Sequence, residues 1–217
     1  MRKIVQKVPS RKEEIGNSIS HLAGTGFAIV GLVFLILKSV QSRDPIKIFS
    51  FLIYGISLIL LYTSSTLYHA VSAKTNTGTL RRVFKTFDHV SIFLLIAGTY
   101  TPFALVTISG KLGWTIFIII WAIAIGGIIF KSIFINRFPV LSTTIYIVMG
   151  WLIVFVIKPL ALNIARGGLI LIGLGGIFYT SGVVFYAFQR MKYNHLIWHF
   201  FVLAGSIAHY FAILIYV

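Results

Sequence analysis

The chain is a series of long apolar runs separated by short polar stretches. Seven runs can be recognised, each close to the roughly 20 residues that a helix needs to cross a bilayer. They are predicted to lie at His21–Leu37, Ile46–Val71, Phe84–Thr107, Leu112–Phe130, Pro139–Ile157, Gly167–Phe188 and His195–Val217. No loop is long enough to form a domain, so we predict an all-α integral membrane protein, a single seven-transmembrane helix bundle over residues 1–217.

Prolines and glycines predict where these helices begin, end or bend. Pro45 and Pro139 should begin helices and Pro159 should end one, because proline fits the first turn of a helix but not its interior. Pro102 lies inside the third run and should kink it. Glycines crowd the sixth run, which indicates close helix packing rather than a phosphate-binding loop. These are Gly167, Gly168, Gly173, Gly175, Gly176 and Gly182.

Basic residues predict the orientation of the bundle, since Lys and Arg concentrate on the cytoplasmic side of membrane proteins. One side carries Arg2, Lys3, Lys7, Arg11, Lys12, Lys74, Arg81, Arg82, Lys85, Lys131, Arg137, Arg190 and Lys192. The other side carries Lys38, Arg43, Lys47, Lys111, Lys158 and Arg166. This asymmetry predicts a cytoplasmic N-terminus, with residues 1–20 as a basic cytoplasmic segment, and a C-terminus outside.

Composition supports a multi-pass protein of the cell membrane. Hydrophobic residues make up 58% of the chain and charged residues 11%, which is more apolar surface than a water-soluble fold can bury. The net charge of +15 lies between the apolar runs, where it would attract anionic lipid headgroups at the cytoplasmic face, so we expect membrane lipids and not nucleic acid as partners. The chain has no cysteine, so a metal site would have to use histidine and carboxylate ligands.

Two histidines four residues apart, His195 and His199, open the last apolar run. They lie on one face of a helix and could bind the same metal ion. Such a pair could equally form hydrogen bonds between membrane helices.

Asp88 is the only acidic residue within a predicted span, and a carboxylate there is energetically costly. It is either functional or a structural partner for Lys85 or a buried histidine. Seven alternating spans place four residues about one helical turn inside the cytoplasmic leaflet: His69, Asp88, His195 and His199. Three imidazoles and a carboxylate at one depth provide three zinc ligands, an open position for water and a base.

Several polar residues near this group allow more than one interpretation. Ser65, four residues before His69, could contact substrate or water, or could be an ordinary helix-packing serine. His89 should point about 100° away from Asp88 around the helix, so that both cannot easily face one point. His209 is expected to be a hydrogen-bonded packing residue. Three further polar residues share one face: Glu14, Asn17 and His21. They form either a polar plug beneath the site or a helix cap.

The separated motifs resemble those of the hemolysin III family, which belongs with the progestin and adipoQ receptors and, more distantly, with alkaline ceramidases. The matching residues are Glu14-x2-Asn17-x2-Ser20-His21, Ser65-x3-His69, Asp88, Pro102 and His195-x3-His199. The resemblance implies a seven-helix bundle with Zn2+ held by His69, His195 and His199. It also implies that Asp88 contacts the zinc-bound water, with Ser65 close by. The chain lacks the long cytoplasmic N-terminal region of the receptors, and its outer loops are short, so no protein hormone is expected as a partner.

These features predict a zinc-dependent intramembrane hydrolase of a lipid amide or ester, with Asp88 and Ser65 as catalytic residues. Ceramide-like substrates are implied by the resemblance alone. The alternative is a non-enzymatic protein with structural zinc that is cytolytic or regulates the state of the membrane. A channel or transporter is less favoured, because no second charge within the spans marks out a path.

Overall fold

The protein folds as an all-helical bundle in a computed structural model that describes residues 9–135 and 137–217. Seven helical spans are long and apolar enough to cross a membrane: Arg11–Gln41, Pro45–Ser72, Thr79–Ile108, Gly110–Ile133, Pro139–Asn163, Arg166–Ala187 and Asn194–Tyr216. No strand occurs among these residues. The predicted seven-helix architecture is therefore confirmed. The basic residues Arg2, Lys3 and Lys7 lie outside the described residues, and the orientation across the membrane stays a prediction.

The first span begins at Arg11, ten residues before the predicted start at His21. Ser10 caps it, because its side-chain oxygen accepts a hydrogen bond from the Glu13 amide at 3.2 Å. The prediction that residues 1–20 precede the first helix is wrong for residues 11–20. The apolar run could not reveal this start, because here the inward face of the helix is polar: Glu13, Glu14, Asn17 and Ser20 are all buried.

Prolines have the predicted effect at three positions and a different one at the fourth. Helices begin at Pro45 and Pro139. In the third span the α-helix ends at Pro102 and a π-helix follows at Phe103–Ile108, because proline cannot donate a hydrogen bond to the preceding turn. The prediction that Pro159 ends a helix is wrong. Pro159 is the third residue of the α-helix Ile157–Asn163, a position where its missing N–H has no partner to lose.

The fifth span is interrupted near its middle. An α-helix at Pro139–Trp151 changes to a 3-10 helix at Leu152–Val156 and then to the α-helix Ile157–Asn163. The hydroxyl of Tyr100 in the third span accepts a hydrogen bond from the Ile153 amide at 2.7 Å. The same hydroxyl lies 2.9 Å from the carbonyl oxygen of Met149 and 2.9 Å from that of Gly150. One side chain thus satisfies the backbone groups freed by the interruption.

Glycines let the sixth and seventh spans approach closely, as predicted. A Cβ atom at Gly175 would lie 2.3 Å from the His209 ring, and one at Gly182 would lie 2.7 Å from Trp198. By contrast, a Cβ atom at Gly173 would meet nothing within 4 Å. The sixth span therefore packs on the seventh through one glycine face and presents another face to open space, which belongs to the cavity described below.

Candidate metal centre and its cavity

Three histidines from two spans meet in the interior of the bundle. His69 lies in the last turn of the second span, and His195 and His199 lie in the first two turns of the seventh. One ring nitrogen from each lies within 4.8 Å of the others, and His69 and His199 are 2% and 1% exposed. The predicted grouping of these histidines is confirmed, although 126 residues separate His69 from His195.

The geometry of the ring nitrogens suits a tetrahedral metal ion. Nε2 of His195 lies 3.2 Å from Nε2 of His69. Two ligands of a tetrahedral zinc ion at 2.0–2.1 Å from the metal are about 3.3 Å apart. The donor set therefore fits zinc, a cation that binds imidazole nitrogens well.

Contacts from the first span orient two of these rings. Nδ1 of His69 lies 2.5 Å from Oε2 of Glu14. Nδ1 of His199 lies 3.2 Å from the carbonyl oxygen of Asn17 and 3.0 Å from the Ser20 hydroxyl. An Nδ1–H that donates to a carboxylate or carbonyl oxygen leaves the Nε2 lone pair free for a metal. The first span therefore sets the tautomer that metal binding requires.

His21 is the remaining residue of the predicted polar plug. Its ring is stacked on that of His199, with centroids 3.6 Å apart and planes 9° from parallel. It also meets the edge of Tyr62, with centroids 5.0 Å apart. Glu14, Asn17 and His21 all lie beside the histidine group, whereas Ser10 caps the helix. The arrangement therefore corresponds to the plug and not to the cap.

Asp88 lies near the three histidines but outside the group of ligand atoms. Its carboxylate lies 3.3 Å from Nδ1 of His89, and Ser65 lines the same cavity. His89 lines the same cavity as Asp88 but does not belong to the ligand group. The His89 ring folds back along its own helix, where Nδ1 also lies 2.9 Å from the Lys85 carbonyl oxygen.

A cavity of about 1140 Å³ extends from this group through the bundle. Polar side chains line the end next to the histidines, and these are Ser65, Lys85, Asp88, His89 and Lys131. Most of the wall is apolar and is supplied by the third, fifth, sixth and seventh spans. On the third span the lining runs from Lys85 to Phe103, a distance of about 27 Å along a helix.

The fifth span is the least buried of the spans that form the wall of this cavity. Fully buried residues in the fifth span are few, namely Ser142, Met149 and Leu160. Gly173 and Gly176 of the sixth span face the cavity without filling it. At the far end His209 lines the cavity, and its Nε2 lies 3.1 Å from the Ile172 carbonyl oxygen. His209 is therefore a hydrogen-bonded packing residue, as predicted.

One residue of the site was missed in the sequence, and another appeared there only as part of the family motif. Ser20 belongs to the Glu14–His21 motif, in which it was given no separate role, and it contacts His199. Lys131 lines the cavity and is 2% exposed, whereas the sequence placed it in a loop. The fourth helix continues to Ile133, past the predicted end at Phe130, and thereby carries this lysine inside.

The fold and the site define a multi-pass membrane protein whose seven helices enclose a buried three-histidine group able to hold a metal ion. Residues 10–210 match the family described as haemolysin-III related, and the chain belongs to that family. It is 45% identical over 205 residues to the Hemolysin-3 homolog of Bacillus subtilis (strain 168), with 94% of each chain covered. It is 46% identical over 206 residues to Hemolysin-3 of Bacillus cereus, covering 95% of this chain and 92% of the relative.

A more distant relative comes from mammals. The chain is 30% identical over 207 residues to the human Monocyte to macrophage differentiation factor, covering 94% of this chain and 84% of the relative. The hemolysin III resemblance and its link to the progestin and adipoQ receptors, which the sequence motifs indicated, are therefore confirmed.

Proposed function

We propose that the protein is a zinc-dependent intramembrane hydrolase that cleaves a lipid amide or ester. The observation that carries the proposal is the position of the three-histidine group, which lies at the polar end of a large apolar cavity. A structural metal site needs no such access, whereas a hydrolytic site needs room for substrate and water.

His69, His195 and His199 would hold the zinc ion. A zinc ion bound there supplies Lewis-acid activation of a water molecule and of the substrate carbonyl. Asp88 is the base, because it lies beside the histidines without belonging to the ligand group. Ser65 lines the same cavity as Asp88, and its hydroxyl would stabilise the carbonyl oxygen of the substrate.

The reaction is a hydrolysis in which Asp88 moves the proton. The water oxygen forms a bond to the acyl carbon while Asp88 accepts a proton from that water. The bond from the acyl carbon to the amide nitrogen or ester oxygen then breaks, and Asp88 returns the proton to the leaving group. The products are a fatty acid and an amine or alcohol.

The dimensions of the cavity support an acyl substrate. One acyl chain spans about half of the ~30 Å hydrocarbon core of a bilayer, or about 15 Å. The lining on the third span is longer than that, and it is mainly apolar beyond the site. The sparsely buried fifth span is the side from which a lipid would enter.

The test is turnover of lipids with a labelled acyl chain by purified protein reconstituted in vesicles. Release of the labelled fatty acid from an amide or an ester is expected with zinc present. It should stop when a chelator removes the metal and return when zinc is added. Protein that contains one zinc ion and releases no fatty acid from either class of lipid would contradict the proposal.

The second candidate is a cytolytic protein in which zinc is structural. The observation that favours it is the name Hemolysin-3 borne by a relative that is 46% identical. Lysis of erythrocytes by the purified protein, retained when Asp88 is replaced with Asn, would favour this candidate over the hydrolase.

A further inference from the structure

Lys131 is a charged side chain buried in the wall of the cavity. It is 2% exposed, and its Nζ lies 3.2 Å from the Ser142 hydroxyl oxygen. It continues the buried face of the fourth span, which it shares with Gly113, Ile120, Ala124 and Gly127. Its inward direction is therefore fixed by the packing of the whole helix.

This burial is costly unless an anion is near. A lysine close to a helix end usually extends its ammonium group to the membrane surface, which keeps the charge hydrated. Lys131 lies two residues from the end of its helix and does not do so. Among the residues that the structure describes, no carboxylate lies within ion-pair distance of its ammonium group.

A second lysine lines the same end of the cavity. Lys85 lies one helical turn before Asp88 on the third span, so it is nearer the membrane surface than Asp88. The third span begins and the fourth span ends on one side of the bundle, so both ammonium groups lie at the same end of the cavity, which also holds the three-histidine group.

We propose that Lys85 and Lys131 bind the phosphate of an anionic lipid headgroup, so that lipids with a net negative headgroup are the preferred ligands. Two ammonium groups together offer the charged donors that phosphate oxygens require. One end of the cavity holds the two cations together with Asp88 and the three histidines, and the wall beyond it is mainly apolar. A glycerophospholipid likewise carries its phosphate and acyl carbonyls at one end and its acyl chains at the other.

This placement of the carbonyl rests on the proposed hydrolase function, whereas binding of the headgroup does not. The test therefore measures binding. The purified protein in detergent is mixed with equal amounts of phosphatidylglycerol and phosphatidylcholine that carry identical acyl chains. Native mass spectrometry then gives the ratio of the two bound lipids. Any hydrolysis would be recorded separately in the same spectra, as lipid that has lost one acyl chain.

The wild-type protein should bind the anionic lipid in clear excess. Lys131→Met and Lys85→Met should each lower the ratio by about 10-fold, since a hydrogen bond to a charged group contributes about that much to affinity. Lys131→Arg keeps the charge and should retain most of the preference. Lys158→Met is the matched control, because Lys158 is exposed and does not line the cavity, and it should leave the ratio unchanged.

Two results would overturn the proposal. The first is a wild-type ratio near one, or a ratio that neither Lys85→Met nor Lys131→Met lowers. The second is loss of the preference when inorganic phosphate is added at the concentration of the lipid, which would identify free phosphate as the ligand. If Lys131→Met does not fold, Lys85→Met together with Lys131→Arg decides the question. A preference for the anionic lipid without any hydrolysis would support the headgroup site and exclude these two esters as substrates of the hydrolase.

Discussion

Glu14 of the first span and His69 of the second are joined at 2.5 Å through Oε2 and Nδ1, and both are almost fully buried. A carboxylate that accepts a hydrogen bond from Nδ1 fixes the ring of a metal-binding histidine and makes its Nε2 a stronger ligand. The first span contributes no ligand to the three-histidine group, yet through this contact it controls the group's geometry.

Replacing Glu14 with Gln should weaken zinc binding by about 10–100-fold, the usual effect of removing such a partner. Glutamine keeps the size and a hydrogen-bonding group but loses the charge. The measurement is zinc affinity by competition with a chelator. Asp44→Asn is the control, because Asp44 caps the second helix at the opposite end of the bundle and should not affect zinc. Unchanged zinc affinity in Glu14→Gln would mean that the carboxylate does not act on the metal.

Replacing His69, His195 or His199 with Ala should in each case remove most of the zinc. A tetrahedral site that keeps only two protein ligands holds the ion poorly. Zinc content is measured by elemental analysis of the purified variants. His89→Ala and His209→Ala are matched controls, since neither histidine belongs to the ligand group, and both should retain the metal. Full zinc occupancy in the His195→Ala protein would exclude His195 from the site.

Two adjacent glycines of the fourth span should respond differently to the same substitution. A Cβ atom at Gly127 would lie 2.3 Å from the ring of Phe93, which is fully buried and cannot move aside. Gly127→Ala should therefore destabilise the protein by about 1–3 kcal/mol. At Gly126 a Cβ atom meets nothing within 4 Å, so Gly126→Ala should be neutral or stabilising by up to about 1 kcal/mol. Thermal unfolding in detergent measures both, and equal unfolding temperatures would contradict the packing.

The sequence predicted the number of spans well because each needs a long apolar run. It predicted less well the features that depend on contacts between different spans. At the interruption of the fifth span, freed backbone groups bond to Tyr100, a residue of the third span, and no local sequence pattern predicts this contact. The three histidines could be grouped because alternating spans place them at one depth. Glu14 could not be matched with His69, since its helix was predicted to begin at His21.

A helix-capping signal in the sequence would have corrected the predicted start of the first span. Ser10 followed by Glu13 is a helix-capping pattern, and Glu14, Asn17 and His21 then follow at the spacing of one helix face. A prediction from hydrophobicity alone misses this first part of the helix because its inward side chains are polar. The polar inward face is also what connects the first span to the metal centre.

The orientation of the bundle is a prediction from its basic residues, which are more numerous on the side that carries the N-terminus. A reporter enzyme that is active only outside the cytoplasm should work when fused after Val217, and one that is active only in the cytoplasm should not. Fusions in the loop between the first and second spans should behave like those at Val217. Cytoplasmic activity of a fusion at Val217 would reverse the orientation and place the metal centre in the outer leaflet.

Replacing Asp88 with Asn separates the hydrolase from a protein with structural zinc. Asparagine keeps the shape and a hydrogen-bonding group but cannot accept the proton. Because Asp88 lies outside the ligand group, zinc should remain bound, with affinity lower by about 10–100-fold at most. Release of fatty acid should fall by about 10²–10⁴-fold, the usual contribution of a positioned base. Zinc content and turnover are measured on the same preparation.

Ser91→Ala is the control for this substitution, because Ser91 is buried one turn from Asp88, where its hydroxyl donates to the Asp88 carbonyl oxygen. It should leave both zinc and turnover close to wild type. If Asp88→Asn instead loses zinc as completely as the histidine variants, Asp88 is a fourth ligand, and the closed site that results has no position for water. If the variant keeps its zinc and hydrolyses lipid at the wild-type rate, Asp88 is not the base, and the proton must pass through another group at the cavity wall.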